Sequence, residues 1–116
     1  MIKRLHVATR YSEAAIFNGV VYLAGQVPND VTKDIAGQTA EVLAMIDDLL
    51  SQAGSSKDNL LSVTIYLSDM ADYAAMNQVW DGWLNQGFAP PRACVQTALA
   101  NPLWKVEIVV VAAQLR

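Results

Sequence analysis

The sequence predicts an α+β domain of two layers, a mixed sheet with two helices packed on one face. Three observations carry this. Short β-branched or aromatic runs alternate with two longer segments of helical period, in the order ββ(β)αβαββ. An Asn18-Gly19 pair between apolar runs marks a hairpin near the start. The last run, Ile108 to Ala113, is apolar at every position, the pattern of a central strand buried on both faces. With both helices on one face, the other face of the sheet lacks cover, and further copies of the chain are expected to supply it. No repeat, linker or low-complexity segment interrupts residues 1–116, which read as a single domain.

Ile2 to Val7 alternates loosely and fits a short edge strand. Ala14–Phe17 and Val20–Ala24 are the arms of the hairpin, since Asn and Gly both tolerate the positive φ of a two-residue turn. Gly25, inside a strand pattern, signals either a close approach by a ligand or another chain, or a simple bulge. The polar stretch from Asn29 to Asp34 leads into a helix whose stripe is Ile35, Val42, Leu43, Ile46, Leu49, Leu50 and Ala53. Gln38, Glu41, Asp48 and Gln52 are assigned to its opposite face, and Gly54 stops it. Ser62–Leu67 is a strand. The turn from Ser68 to Asp72 supplies acids suited to a helix N-terminus. The second helix runs from about Tyr73 to Gln86, with Tyr73, Met76, Trp80, Trp83 and Leu84 as its stripe. Aromatics at helical spacing are core or interface packing several times more often than a ligand platform. Gly87 ends that helix, and Ala89-Pro90-Pro91 forces extended chain into a strand at Arg92. Asn101-Pro102 turns the chain into the last strand, and a closing hairpin is one way to pair these two strands.

Composition limits the function classes. The chain is 53% hydrophobic and only 16% charged, so apolar surface is expected to be buried between subunits. A net charge of −3 without a run of Lys or Arg argues against nucleic-acid binding. One cysteine cannot close an internal disulfide, and no Cys/His cluster has zinc spacing, so no metal site is expected. The N-terminus reads as no signal peptide and no run is long enough to span a bilayer, which makes a cytoplasmic location the expectation.

Candidate chemistry concentrates between Ala89 and Ala113. Arg92 opens one strand and Glu107 sits near the start of the next, where an unpaired charge is costly unless solvated, paired or functional. Arg92 offers a planar donor fork suited to a carboxylate, against the alternative of a salt bridge at a strand end. Glu107 is suited to orienting or deprotonating a water, against the alternative of pairing with Lys105 or Arg92. Cys94 reads better as a small buried hydrophobe than as a nucleophile, because His6 is distant in sequence. Asp47-Asp48 and Asp69/Asp72 read as solvated or capping residues.

Four stretches, in order and spacing, resemble the RidA/YjgF family of reactive-intermediate deaminases, in particular its YoaB-like branch. They are Ala24-Gly25-Gln26-Val27-Pro28 (the family's S-G-Q-I-P), Asn77 in the second helix, Pro91-Arg92-Ala93-Cys94-Val95 (P-A-R-S-C-V) and Lys105-Val106-Glu107-Ile108 (K-I-E-I). The resemblance covers nearly the whole chain. It implies a chorismate-mutase-like fold, a barrel-like homotrimer with clefts between neighbours, and cofactor-free hydrolysis of enamines and imines to 2-oxo acids and ammonia. By resemblance, Arg92 holds the substrate carboxylate and Glu107 positions the attacking water. Gly25 and Cys94 line the pocket through their backbones, and Tyr11 stands at the spacing of the family's pocket tyrosine. The family's G-P-Y reads here Thr9-Arg10-Tyr11, and the loop after Pro28 and Trp104 also depart from the deaminase pattern. Two readings follow: an imine hydrolase acting on small 2-imino acids, or a non-catalytic trimer that binds small carboxylates or a protein partner.

Overall fold

The computed structural model describes residues 1–115. Its strands are β1 (Lys3–Val7), β2 (Ser12–Phe17), β3 (Val20–Leu23), β4 (Leu60–Leu67), β5 (Arg92–Gln96) and β6 (Val106–Ala113). They form one sheet in the order β1-β2-β3-β6-β4-β5. The β4–β5 pair is parallel and every other pair antiparallel. Helix α1 (Ile35–Gln52) connects β3 to β4, and α2 (Tyr73–Trp83) connects β4 to β5.

The local signals act as the residues dictate. Asn18 (φ 52°) and Gly19 (φ 76°) both take positive φ, and the β2–β3 hairpin closes on them. The Asp34 carboxylate accepts from Gly37 N–H at 2.8 Å and caps α1. Gly54, at φ 78°, lets the chain leave the helix. The α1 stripe then packs with Val21, Leu23, Ile65, Met76, Ile108 and other sheet residues in one core.

Three expectations are corrected. Gln38 does not face solvent: it is fully buried, and so is Thr39. Its spacing from Ile35 and Val42, three and four residues, already put it on the apolar stripe. Burial is tolerated because its amide donates to Lys33 O and Leu103 O (both 3.2 Å) and accepts from Lys105 N–H (2.8 Å). Second, α2 stops at Trp83. Lys57 Nζ donates to the Trp83 carbonyl at 2.6 Å, and Asn85 is tied to Asp58 at 2.8 Å, so tertiary contacts end the helix before Gly87. Third, β5 and β6 form no hairpin. β6 is hydrogen-bonded to β3 on one side and along all of β4 on the other, which leaves β5 at the sheet edge, beyond β4.

β6 is central in order but buried on one face only within a single chain. Val106, Ile108, Val110 and Ala112 are buried against the helices, whereas Glu107, Val109, Val111 and Ala113 are half-buried on the other face. That second face, with Thr64, Tyr66 and the exposed Tyr22 and Val95, carries no covering layer. Among the described residues, no helix is long and apolar enough to cross a membrane.

Candidate functional site

The sequence-predicted residues fall into two groups. Tyr11, Gly25 and Glu107 come together on the uncovered face. Gln26 and Ile108 exchange backbone hydrogen bonds of 2.9 and 3.1 Å, and this bridge sets Gly25 beside Glu107. A Cβ added at Gly25 would collide with the Glu107 carboxylate and come within 3.2 Å of its Cγ. The glycine is therefore required for a close approach, made by a side chain of its own chain. Tyr11, Ala24, Gly25, Val27, Trp104 and Glu107 line a cleft of about 340 Å³. On its other side Glu107 borders a recess of about 260 Å³ formed with Tyr66, Val109 and the Thr97–Ala100 loop.

Glu107 is thus a carboxylate in a mainly apolar cleft. Among the described residues the ion pair is Lys33–Glu41 (3.5 Å), so neither Lys105 nor Arg92 pairs with Glu107. The paired-carboxylate alternative is not met within one chain.

Arg92 and Cys94 form the second group, on edge strand β5. In register they stand beside Val63 and Ile65 of β4, on the helix side of the sheet. The Arg92 guanidinium donates to Asn77 Oδ1 at 2.8 Å and to the Tyr73 hydroxyl at 3.3 Å. It also lies 5.4 Å from the Trp80 ring centroid and 5.9 Å from that of Tyr73. Arginine has five N–H donors, and with two engaged, three are left for a ligand. Tyr73, Asn77 and Trp80 recur every three or four residues, so one face of α2 presents all three to the arginine. Trp80, only 4% exposed, is core packing and arginine support at once.

Cys94 is not an activated nucleophile. Burial pushes its thiol up from the ordinary range, and nearby Arg92 only partly opposes this. His6 is hydrogen-bonded to Gln52 of α1 at 2.6 Å, on β1 at the opposite edge of the sheet from β5. The acidic pairs are structural: Asp47 accepts from Trp83 Nε1 (2.9 Å), Asp48 from Gln52 (3.0 Å) and Asp69 from Ala71 N–H (2.9 Å). Among the described residues no three His, Cys, Asp or Glu side chains cluster in a way that could hold a metal ion.

Within one chain the two groups lie on opposite faces of the sheet. Glu107 stands opposite Tyr66 on the uncovered face, whereas Arg92 stands beside buried Val63 on the helix face. Sequence reasoning flagged both charges but could not assign their faces, because that depends on the register of β4 between them.

Residues 1–114 match the family model described as Endoribonuclease L-PSP. A RutC family protein of Haemophilus ducreyi is 51% identical over 113 residues, covering 97% of each chain. The RutC family protein YoaB of Escherichia coli is 46% identical, also covering 97% of each. The crystal structure of a YjgF family member from Neisseria meningitidis has a TM-score of 0.97 and 46% identity, covering 100% of this chain and 97% of that one. The match over nearly the whole length, in sequence and in backbone, establishes that this chain belongs to the Endoribonuclease L-PSP family, with RutC and YjgF proteins as its relatives.

Proposed function

We propose that the protein is a cofactor-independent hydrolase of small 2-imino acids, working in clefts between the subunits of a cytoplasmic homotrimer. The observation that carries this reading is the Glu107 carboxylate, held against the Gly25 backbone in an apolar cleft with no cation paired to it. A neighbour completes the site: the edge position of β5 lets one chain's Arg92 reach the uncovered face of the next, opposite that chain's Glu107. The apolar, uncovered sheet face supports the assembly this requires.

The roles follow from the groups present. Arg92 binds the substrate carboxylate through its free donors, with Tyr73, Asn77 and Trp80 fixing the guanidinium plane. Glu107 accepts a proton from a water as its oxygen attacks the imine carbon, and returns that proton to the imine nitrogen to give a carbinolamine. Collapse of that adduct forms the 2-oxo acid C=O bond, breaks the C–N bond and releases ammonia. The imine carbon is already electrophilic, so alignment and one base suffice. The backbones of Gly25 and Cys94 and the ring of Tyr11 shape the pocket.

The test is ammonia release from freshly generated 2-iminopropanoate and 2-iminobutanoate. Catalysed hydrolysis well above the buffer rate supports the reading, and buffer-rate hydrolysis by a folded trimer overturns it. The departures at Thr9-Arg10-Tyr11 favour a second reading, a trimer that binds carboxylates without turnover. Saturable binding of 2-oxo acids that requires Arg92, with no turnover, would select it.

A further inference from the structure

We propose that Trp104 selects the substrate's side chain, favouring 2-imino acids with an extended apolar or aromatic group over the methyl-bearing one, and that Gln38 is the residue that positions it. This rests on reading the Glu107 cleft as the imine site. Trp104 lies three residues before Glu107 and, with Tyr11 and Val27, supplies the large apolar lining of the cleft that holds the carboxylate. Tyr11 is 59% exposed and Trp104 half-buried, so this wall is left partly wet in the single chain. A ligand side chain that covers it removes apolar surface from water, and each buried methylene is worth about fourfold in affinity.

The backbone that carries the indole is held in place. The fully buried Gln38 amide grips the backbone on either side of it, donating to Leu103 O at 3.2 Å and accepting from Lys105 N–H at 2.8 Å. Asn101 tightens the same turn, its side chain accepting from Leu103 N–H (2.9 Å) and its carbonyl from Trp104 N–H (3.0 Å). A buried polar side chain directed at two consecutive links of a surface loop fixes the residue between them. Methyl-bearing substrates reach little of the wall, whereas an isobutyl or benzyl group lies along it.

The experiment measures selectivity, not activity alone. kcat/KM is determined for the imines of alanine, leucine and phenylalanine, and Kd by calorimetry for pyruvate, 4-methyl-2-oxopentanoate and phenylpyruvate. The native trimer is expected to prefer the larger members by roughly 10- to 50-fold, from a few added buried carbons. Trp104→Ala is expected to collapse that ratio to within about threefold, and Gln38→Met, similar in size but unable to make both bonds, to lower it severalfold. A ratio unchanged in Trp104→Ala overturns the proposal. So does a ratio that rises, because Trp104 would then be a steric stop. An unchanged ratio in a folded Gln38→Met trimer overturns the positioning role, and Asn101→Ala tests the same turn if Gln38→Met does not fold. Should no imine turn over, the proposed reaction fails, while the Kd series still decides the role of Trp104 by the same criteria.

Discussion

Gly25→Ala separates the chemistry of this site from its stability. The added methyl would meet the end of the Glu107 side chain and crowd Cδ at 3.0 Å and Cγ at 3.2 Å. Gly25 is not among the positive-φ glycines, so alanine suits its backbone. Only Glu107 must give way. Driving one side chain off its preferred rotamer costs about 0.5–1.5 kcal/mol, and replacing glycine at a compatible position returns about 0.4–1 kcal/mol through the unfolded chain. Stability should therefore stay within about 1 kcal/mol of the parent. Under the proposed mechanism catalysis should not, because a displaced carboxylate would lose its aim at the attacking water. The loss is expected near the lower end of general-base effects, about 10²-fold in kcat, or about 2.7 kcal/mol of transition-state stabilisation. The assay is steady-state ammonia release alongside thermal unfolding, with Glu107→Gln and the double variant in parallel. The double variant should be no worse than Glu107→Gln alone, since both changes act through one group. Full kcat in Gly25→Ala would refute the argument.

Further outcomes follow from the same contacts. Arg92→Ala should act chiefly by raising KM, with kcat/KM falling by about 2–5 kcal/mol, and Arg92→Lys should rescue poorly because an ammonium lacks the planar fork. Cys94 should alkylate with iodoacetamide at pH 8 more slowly than a free thiol, and more slowly still in a folded Arg92→Ala, which removes the charge opposing the upward shift. Glu41 accepts backbone bonds from Asp30 (3.0 Å) and Asn29 (2.7 Å), and these, the Asp30 bond foremost, hold its carboxyl below the ordinary value of 4.5. A lowered folded-state pKa contributes stability that is present above the unfolded value and lost as pH falls through the folded one. Glu41→Gln should therefore flatten the decline of Tm on acidification below about pH 5, and an acid limb parallel to the parent's would count against this.

What the sequence made legible was mostly local. The Asn18-Gly19 hairpin and the α1 stripe depend on residues a few positions apart, and both appear where spacing puts them. Arg92 and Glu107 were visible because charge is conspicuous in a strand pattern. Their separation onto opposite faces was not, since it depends on β6 pairing with β4 and leaving β5 outside, a long-range choice with no local code. The setting of Arg92 was hidden for a related reason: Tyr73 and Trp80 read as apolar stripe, yet each also supports a cation. Gln38 illustrates the reverse. Its position lay on the apolar stripe, but its polarity suggested solvent, and only the partners Leu103 and Lys105, over sixty residues away, explain the burial.

The central claim, that one chain's Arg92 faces its neighbour's Glu107, is tested most directly by mixing two variants that are each strongly impaired at substrate concentrations below the native KM. Arg92→Ala and Glu107→Gln are denatured, combined in equal amounts and refolded together, and mixed trimers are verified by native mass spectrometry. If each site draws Arg92 from one chain and Glu107 from the next, a cyclic trimer of randomly assorted chains rebuilds about a quarter of its sites intact. Measured at substrate well below the native KM, where both parents are slow, the account predicts imine hydrolysis returning to about a quarter of the native rate. Activity no greater than that of the two parents, in trimers shown to be mixed, would place both residues in the same chain's site and contradict it.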